Sequence, residues 1–255
     1  VVANISLEHW ERYSPLLMVG GIVLLILVLI PGIGSKVNGS YRWLSLGAMN
    51  LQPSEVMKLC AILFMAGFLV RRADEVRASF AGFAKPFLVL MLIAALLMLE
   101  PDMGSTVVIL ATTVSMMFLA GVPLNRFAVV IGLGALAVTA AILFEPYRME
   151  RVTSYLNPWA DPFDSGFHRT QALIAFGRGE WFGVGLGSSI QKLFYLPEAH
   201  TDFVFSVLCE ELGFVTGAWV ILLFGVLVWR AFHIGNMAMK CGQPFAGYLA
   251  FGIGI

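Results

Sequence analysis

Long apolar runs separated by short polar connections dominate this sequence, and they decide which solvent it folds in. Runs of this kind cover 15–30, 52–70, 86–99, 103–122, 127–144 and 203–229, and another, 243–255, is cut short by the last residue. A membrane-crossing helix needs about 20 mostly apolar residues, fewer where flanking side chains reach the interface. The chain is 59% hydrophobic and only 13% charged, against about 25% charged residues in a soluble domain. It has too little polar surface to face water on all sides. The expected fold is therefore all-α, a polytopic membrane helix bundle forming one domain over 1–255. Pro31, Pro53, Pro86, Pro101, Pro123 and Pro146 fall near run ends, where helices tolerate proline. The first residue is Val1 and the last apolar run is incomplete, so the sequence reads as the middle of a longer protein.

Loop charge orients the bundle. Alternation puts the connections 71–85, 123–126 and 230–242 on one side. They carry Arg71, Arg72, Arg77, Lys85, Arg126, Arg230 and Lys240 against Asp74 and Glu75. The short connections of the other side, 31–51 and 100–102, carry only Lys36 and Arg42 as basic residues. Positive loops stay inside, so the first set is expected in the cytoplasm and the long connection 145–201 outside it. Zero net charge offers nothing to attract nucleic acid. Cys60, Cys209 and Cys241 show neither a disulfide framework nor a metal-ligand spacing.

The connection 145–201 is too long for a plain linker. Its aromatic residues, among them Tyr155, Trp159, Phe167, Phe176, Trp181 and Phe182, suit a folded cap on the membrane interface. Residues 166–177 suit a short amphipathic helix, broken by the glycines that follow. The stretch Gly183 to Ser189 resembles a phosphate loop only superficially. It lacks a GK[ST] ending and no strand precedes it, so no nucleotide is expected. Close backbone approach to a lipid diphosphate, or a set of tight turns, accounts for the glycines better.

Charged residues near or inside the runs are the candidate functional groups. The segment Leu196-Pro-Glu-Ala-His-Thr-Asp202 places Glu198, His200 and Asp202 at the mouth of the 203–229 run. Asp202 in that position is either a helix N-cap or a functional carboxylate, and the two roles are compatible. Glu198 and His200 are ordinary surface groups or ligand contacts. Glu55, Lys58, Glu210 and Glu211 lie within runs, where a charge costs at least about 2.5–3.5 kcal/mol. They should pair, for instance Lys58 with Glu210 or Glu211, or line a polar cavity opening outward. Glu100-Pro-Asp102 marks a tight turn at the surface. Arg148, Arg151, Arg169, Arg178 and Lys192 in the long connection are solvated or hold phosphate oxygens.

Several segments, in order along nearly the whole chain, resemble the SEDS family (FtsW/RodA-like) of cell-wall glycosyltransferases. They are Arg42-Trp-Leu-Ser-Leu-Gly47, Gln52-Pro-Ser-Glu55 with Lys58, and Glu100-Pro-Asp-Met-Gly104. Asn157-Pro-Trp-Ala-Asp-Pro162, Gln171, Leu196 to Phe203 and Glu210-Glu-Leu-Gly213 follow. The wording at Glu145-Pro-Tyr-Arg148 and Ala175 to Gly179 is similar to the cell-division branch rather than the elongation branch. Members have about ten spans by this resemblance, of which this chain lacks the first two and the last. It carries Asn50 and Phe194 where some relatives carry Arg and Glu, so neither charged side chain is required here.

The resemblance implies a peptidoglycan glycosyltransferase that polymerises lipid II into glycan strands. Asp202 would be the catalytic base and undecaprenyl diphosphate the leaving group. Arg42, Lys58, Lys192, Glu198, His200 and Gln171 would contact substrate, with Glu55, Glu210 and Glu211 shaping the cavity. A divalent cation, magnesium or manganese, is a possible cofactor, and Asp202 would then be its ligand. The implied partners are lipid II, the growing strand, membrane lipid, and a class B penicillin-binding protein with other division proteins. The implied place is the bacterial inner membrane at the septum, with the site on the periplasmic side. The alternatives are a lipid II flippase and a non-catalytic scaffold of the division machinery.

Overall fold

The computed structural model describes residues 5–37, 40–45, 47, 50–143, 149, 157–161, 166–196, 199 and 201–255. The helices are α1 (Leu7–Leu29), α2 (Pro53–Ala78), α3 (Phe80–Leu99), α4 (Met103–Leu119), α5 (Leu124–Leu143), α6 (Phe167–Gly179), α7 (Val204–Lys240) and α8 (Pro244–Gly254). Helices α1, α2, α3 and α7 are long and apolar enough to cross a membrane, and α4, α8 and part of α5 are shorter apolar helices. The predicted runs are therefore all helical.

Four of the runs are only the apolar centres of longer helices. Helix α1 begins at Leu7 and α3 at Phe80, while α2 continues to Ala78 and α7 to Lys240. Hydropathy detects the part that sits in hydrocarbon, whereas the hydrogen-bond ladder continues until a cap stops it. Pro86 thus lies inside α3. Helix α2 is kinked at Arg72, whose φ of −134° is not helical, so the connection expected at 71–85 is that kink and a break at Ser79, while the one at 230–242 shrinks to a turn around Cys241 and Gly242. At that break the Ser79 hydroxyl caps α3 by accepting the Gly82 N–H at 2.9 Å.

The chain divides into two compact units, Val1–Val129 with Val228–Ile255, and Val130–Leu227. In the first, α2 is the hub and packs against α1, α3, α4 and α8. Met18, Leu25, Met57, Cys60, Ala61, Leu90, Ile93, Leu97 and Ile109 form one buried cluster. The connection between α1 and α2 is a small antiparallel sheet, β1 (Gly34–Val37), β2 (Ser40–Ser45) and β3 (Asn50–Leu51), in that order. Its bulge lies between Ser35 and Lys36. Hydropathy does not signal this sheet, because β3 has only two residues and β2 does not alternate strictly between buried and exposed positions.

Arginines tie each end of this unit together. Arg42 on β2 donates from Nε to the Glu100 carbonyl at 2.8 Å and from Nη2 to the Pro101 carbonyl at 2.6 Å. The 31–51 and 100–102 connections therefore share one end, as alternation required. Arg77 binds the Ala120 carbonyl at 2.7 Å, and Arg126 binds those of Val76 and Ser79 at 2.6 and 3.0 Å. The basic connections share an end too.

The second unit holds part of α5, a 3₁₀ turn at Pro158–Ala160, α6, a π turn at Gln191–Tyr195, and the first half of α7. Helix α7 is broken by Gly213, whose φ of 81° lies in the left-handed region that favours glycine. That break receives the segment after α6. Phe214 and Val215 donate to the carbonyls of Glu180 and Trp181, and Val184 and Gly185 donate to those of Glu210 and Glu211. The carbonyls released by the break are used to bind the loop.

Candidate functional sites

Two groups of polar residues stand out, one in each unit. In the first unit Glu55 and Lys58 pair with each other at 2.8 Å in the first turns of α2, with side chains 58% and 30% exposed. This corrects the expected pairing of Lys58 with Glu210 or Glu211. A position near the helix terminus lets both charges keep solvent, so neither needs a remote partner.

The α3–α4 turn departs further from expectation. Glu100, Pro101 and Asp102 do form a tight turn, but Glu100 is completely buried. Both its carboxylate oxygens lack a hydrogen-bond partner. Burial raises its pKa to about 7, the nearby Asp102 adds to the rise, and Arg42 opposes it. Asp102 caps α4, accepting from the Ser105 N–H at 3.1 Å and from its hydroxyl at 2.7 Å. Burial pushes the Asp102 pKa up, but Ser105, the Ser54 hydroxyl and Arg42 more than offset that and hold it low.

Stability should consequently depend on pH. The folded state binds the Glu100 proton more tightly than the unfolded chain, so stability is greatest below pH 4.5 and falls as pH rises to about 7. The full loss is roughly 3 kcal/mol. Glu100→Gln mimics the protonated form and should remove that slope. Melting temperatures of both proteins at pH 5 and pH 8 check this. Asp102 acts in the opposite sense and only below its ordinary value of 3.8.

The second unit contains Asp202. Helix α7 starts at Val204, so the cap position falls to Phe203, whose carbonyl accepts the N–H groups of Ser206 and Val207. Asp202 is therefore not the N-cap. Its side chain is exposed, and no hydrogen bond or ion pair reaches it among the described residues. Next to it, Phe203 stacks on His168 of α6, with ring centroids 6.2 Å apart and planes 7° from parallel. Gln171, one turn further along α6, is half-buried. Glu198, His200, Arg148 and Arg151 lie outside the described residues.

Glu210 and Glu211 are both engaged by the glycine-rich loop. Glu210 is fully buried and accepts from Arg178 Nη1 at 3.3 Å, the Ser189 hydroxyl, and the N–H groups of Ile190 and Gln191 at 3.2 and 3.4 Å. Glu211 accepts from the N–H groups of Gly187 and Ser189 at 3.0 and 3.3 Å and from Lys192 Nζ at 2.5 Å. The glycine-rich loop thus turns its amides toward two carboxylates of the same chain. No local signal could have revealed Arg178 or Ser189 as partners, because the contacts bridge 32 and 21 residues.

The loop also demands glycine at its root. A Cβ on Gly179 would overlap the Cys209 carbonyl oxygen, which is backbone and cannot swing aside. Gly179→Ala should destabilise this unit by about 1–3 kcal/mol. A lowered melting temperature and faster proteolysis between 180 and 196 would register it.

Known proteins complete the picture. Residues 1–255 match the FtsW, RodA and SpoVE family, described as cell cycle proteins. A probable peptidoglycan glycosyltransferase FtsW of Hahella chejuensis is 54% identical over 99% of this chain and 64% of its own length. One from Pseudomonas fluorescens is 52% identical over 99% of this chain and 62% of its own length. The chain thus spans a little under two thirds of the curated relatives it matches. A solved peptidoglycan synthase complex, described as coordinating polymerization and crosslinking, matches with TM-score 0.76 and 29% identity over 99% of this chain and 69% of the other. The rod shape determining protein RodA of Thermus thermophilus matches with TM-score 0.61 and 26% identity, over 98% and 65%. With its several apolar helices, this multi-pass membrane chain belongs to the FtsW/RodA/SpoVE family of cell cycle proteins.

Proposed function

We propose that this chain is the core of a peptidoglycan glycosyltransferase that polymerises lipid II during cell division. The observation that carries the proposal is the exposed Asp202 carboxylate at the entrance of α7, unpartnered among the described residues, in a chain whose relatives are named for this activity. A base must keep a free lone pair and reach solvent-delivered substrate, and Asp202 meets both conditions.

In the proposed reaction the Asp202 carboxylate takes the proton of the acceptor's sugar 4-hydroxyl. The oxygen attacks the anomeric carbon of the growing strand, the new glycosidic bond forms, and the bond to the diphosphate breaks. Undecaprenyl diphosphate leaves with the bonding electrons. A single displacement inverts the anomeric centre, so one base suffices. Lys192, in the same unit as Asp202, is the cation proposed to receive the diphosphate, and Arg42 and Lys58 of the first unit are proposed substrate contacts. Gln171, Glu198 and His200 are proposed sugar contacts.

A magnesium or manganese ion bound through Asp202 is the remaining element. Among the described residues no three His, Cys, Asp or Glu side chains gather into a ligand set. The proposed setting is the inner membrane at the septum, with Asp202 on the periplasmic side and a class B penicillin-binding protein as partner. A peptidoglycan synthase complex among the similar structures supports that partnership.

The test supplies lipid II as sole substrate to the full-length protein in liposomes, without nucleotide sugars. Long glycan is the expected product. Lipid II that crosses the bilayer without polymerising would favour a flippase, and neither activity would favour a scaffold.

A further inference from the structure

The two adjacent carboxylates of α7 bind the same loop but in different surroundings. Glu210 is sealed from solvent, whereas the Glu211 and Lys192 side chains remain 14% and 28% exposed. Around Glu211 converge two backbone N–H groups, from Gly187 and Ser189, and the Lys192 ammonium. Adjacent loop amides beside a cation form an anion-binding concavity. Here its occupant is a carboxylate of the same chain, held at the surface, where an ion pair contributes little.

We propose that Gly187, Ser189 and Lys192 form a diphosphate cradle in which Glu211 is a built-in occupant that the ligand displaces. The cradle does not depend on Glu211 for its shape. Glu210 holds Ser189, Ile190 and Gln191 from beneath, and the Val184 and Gly185 N–H groups bind the carbonyls of Glu210 and Glu211. These bonds persist when the Glu211 side chain swings away. A diphosphate offers more acceptor oxygens and more charge than one carboxylate, so it competes well for the same donors. Before a ligand arrives, Glu211 keeps Lys192 neutralised and the amides paired. The idea rests on the polymerase reading only for the source of the ligand, a prenyl diphosphate.

The test measures binding of two probes, inorganic pyrophosphate and undecaprenyl diphosphate, to the full-length protein in nanodiscs. Glu211→Gln removes the competing charge and should tighten binding of either probe about threefold to fivefold. Lys192→Gln should weaken it about tenfold. Glu211→Gln that binds no tighter while melting like wild type would overturn the cradle. So would Glu211→Gln that fails to fold, since Glu211 would then be a structural clasp. Tightened binding without any glycan synthesis by the wild type would sink the polymerase reading and leave the cradle standing. Normal synthesis with unchanged binding would do the reverse.

Discussion

Asp202→Ala is expected to cut lipid II polymerisation by about 10²–10⁴-fold, the usual loss when a general base is removed, and to leave the fold intact. The second half of that expectation comes from the local structure. Asp202 precedes the cap position of α7 and has no hydrogen-bond partner among the described residues, so its removal strands no buried donor. Surface substitutions of this kind change stability by about 0.5 kcal/mol or less. Asp202→Asn is the sharper variant, because it keeps the shape and removes the proton acceptor. It should be as inactive as alanine, while Asp202→Glu retains a carboxylate at displaced geometry and should keep part of the rate. Initial rates of lipid II consumption, with melting curves on the same preparations, decide the matter. A wild-type rate from the asparagine variant would exclude Asp202 as the base. Loss of rate together with loss of the folded state would show that the side chain supports the structure instead.

Periodicity and hydropathy reveal those parts of this protein that depend on local sequence. The apolar centres of the helices are legible because a bilayer demands a long uninterrupted run, and the short helix after Gly166 is legible from its own pattern. Which connections of the first unit share an end is legible too, because alternation is a counting argument, and the arginine ties at each end agree with it. The polar contacts were a different matter. Lys58 was expected to reach across to Glu210 or Glu211, yet it has a partner three residues away, Glu55. Glu210 and Glu211 find theirs on a loop some twenty to thirty residues earlier. A charge inside an apolar run announces that it has a partner without saying which one, since the choice depends on how the chain folds back. Glu100 shows the same limit in reverse. A Glu-Pro-Asp turn looks like a surface feature, yet the fold buries the Glu100 carboxyl completely. The candidate base is legible as a position, through its motif and its place before a run, but its exposure and lack of partners are properties of the fold.

Glu210→Ala should destabilise the second unit by about 3–5 kcal/mol, the summed cost of the buried loop donors it leaves without an acceptor. The carboxylate is completely buried and accepts from Arg178, the Ser189 hydroxyl and two loop N–H groups. Arg178, 38% exposed, keeps water when its counter-ion is lost, but alanine orphans the Ser189 hydroxyl and the amides of Ile190 and Gln191. Each such orphan costs about 1–3 kcal/mol unless water reaches it. The loop should respond first. Hydrogen exchange at residues 184–196 should speed up before the helices of the first unit loosen, because the lost bonds all lie in the second unit. Glu211→Ala offers the internal comparison. Its ion pair is partly exposed and the two amides it accepts from are less deeply buried, so it should lose only about 1–2 kcal/mol. Equal losses from the two variants would mean that burial does not distinguish these carboxylates. A second comparison separates charge from packing. Pairing Glu210→Leu with Arg178→Met removes both charges together and fills the buried Glu210 position with apolar volume. The amides of Ile190 and Gln191 would still lack an acceptor, so the double variant should recover part of the lost stability but not all of it. Complete recovery would show that the loop amides find other partners and that Glu210 is not what fastens the loop to α7.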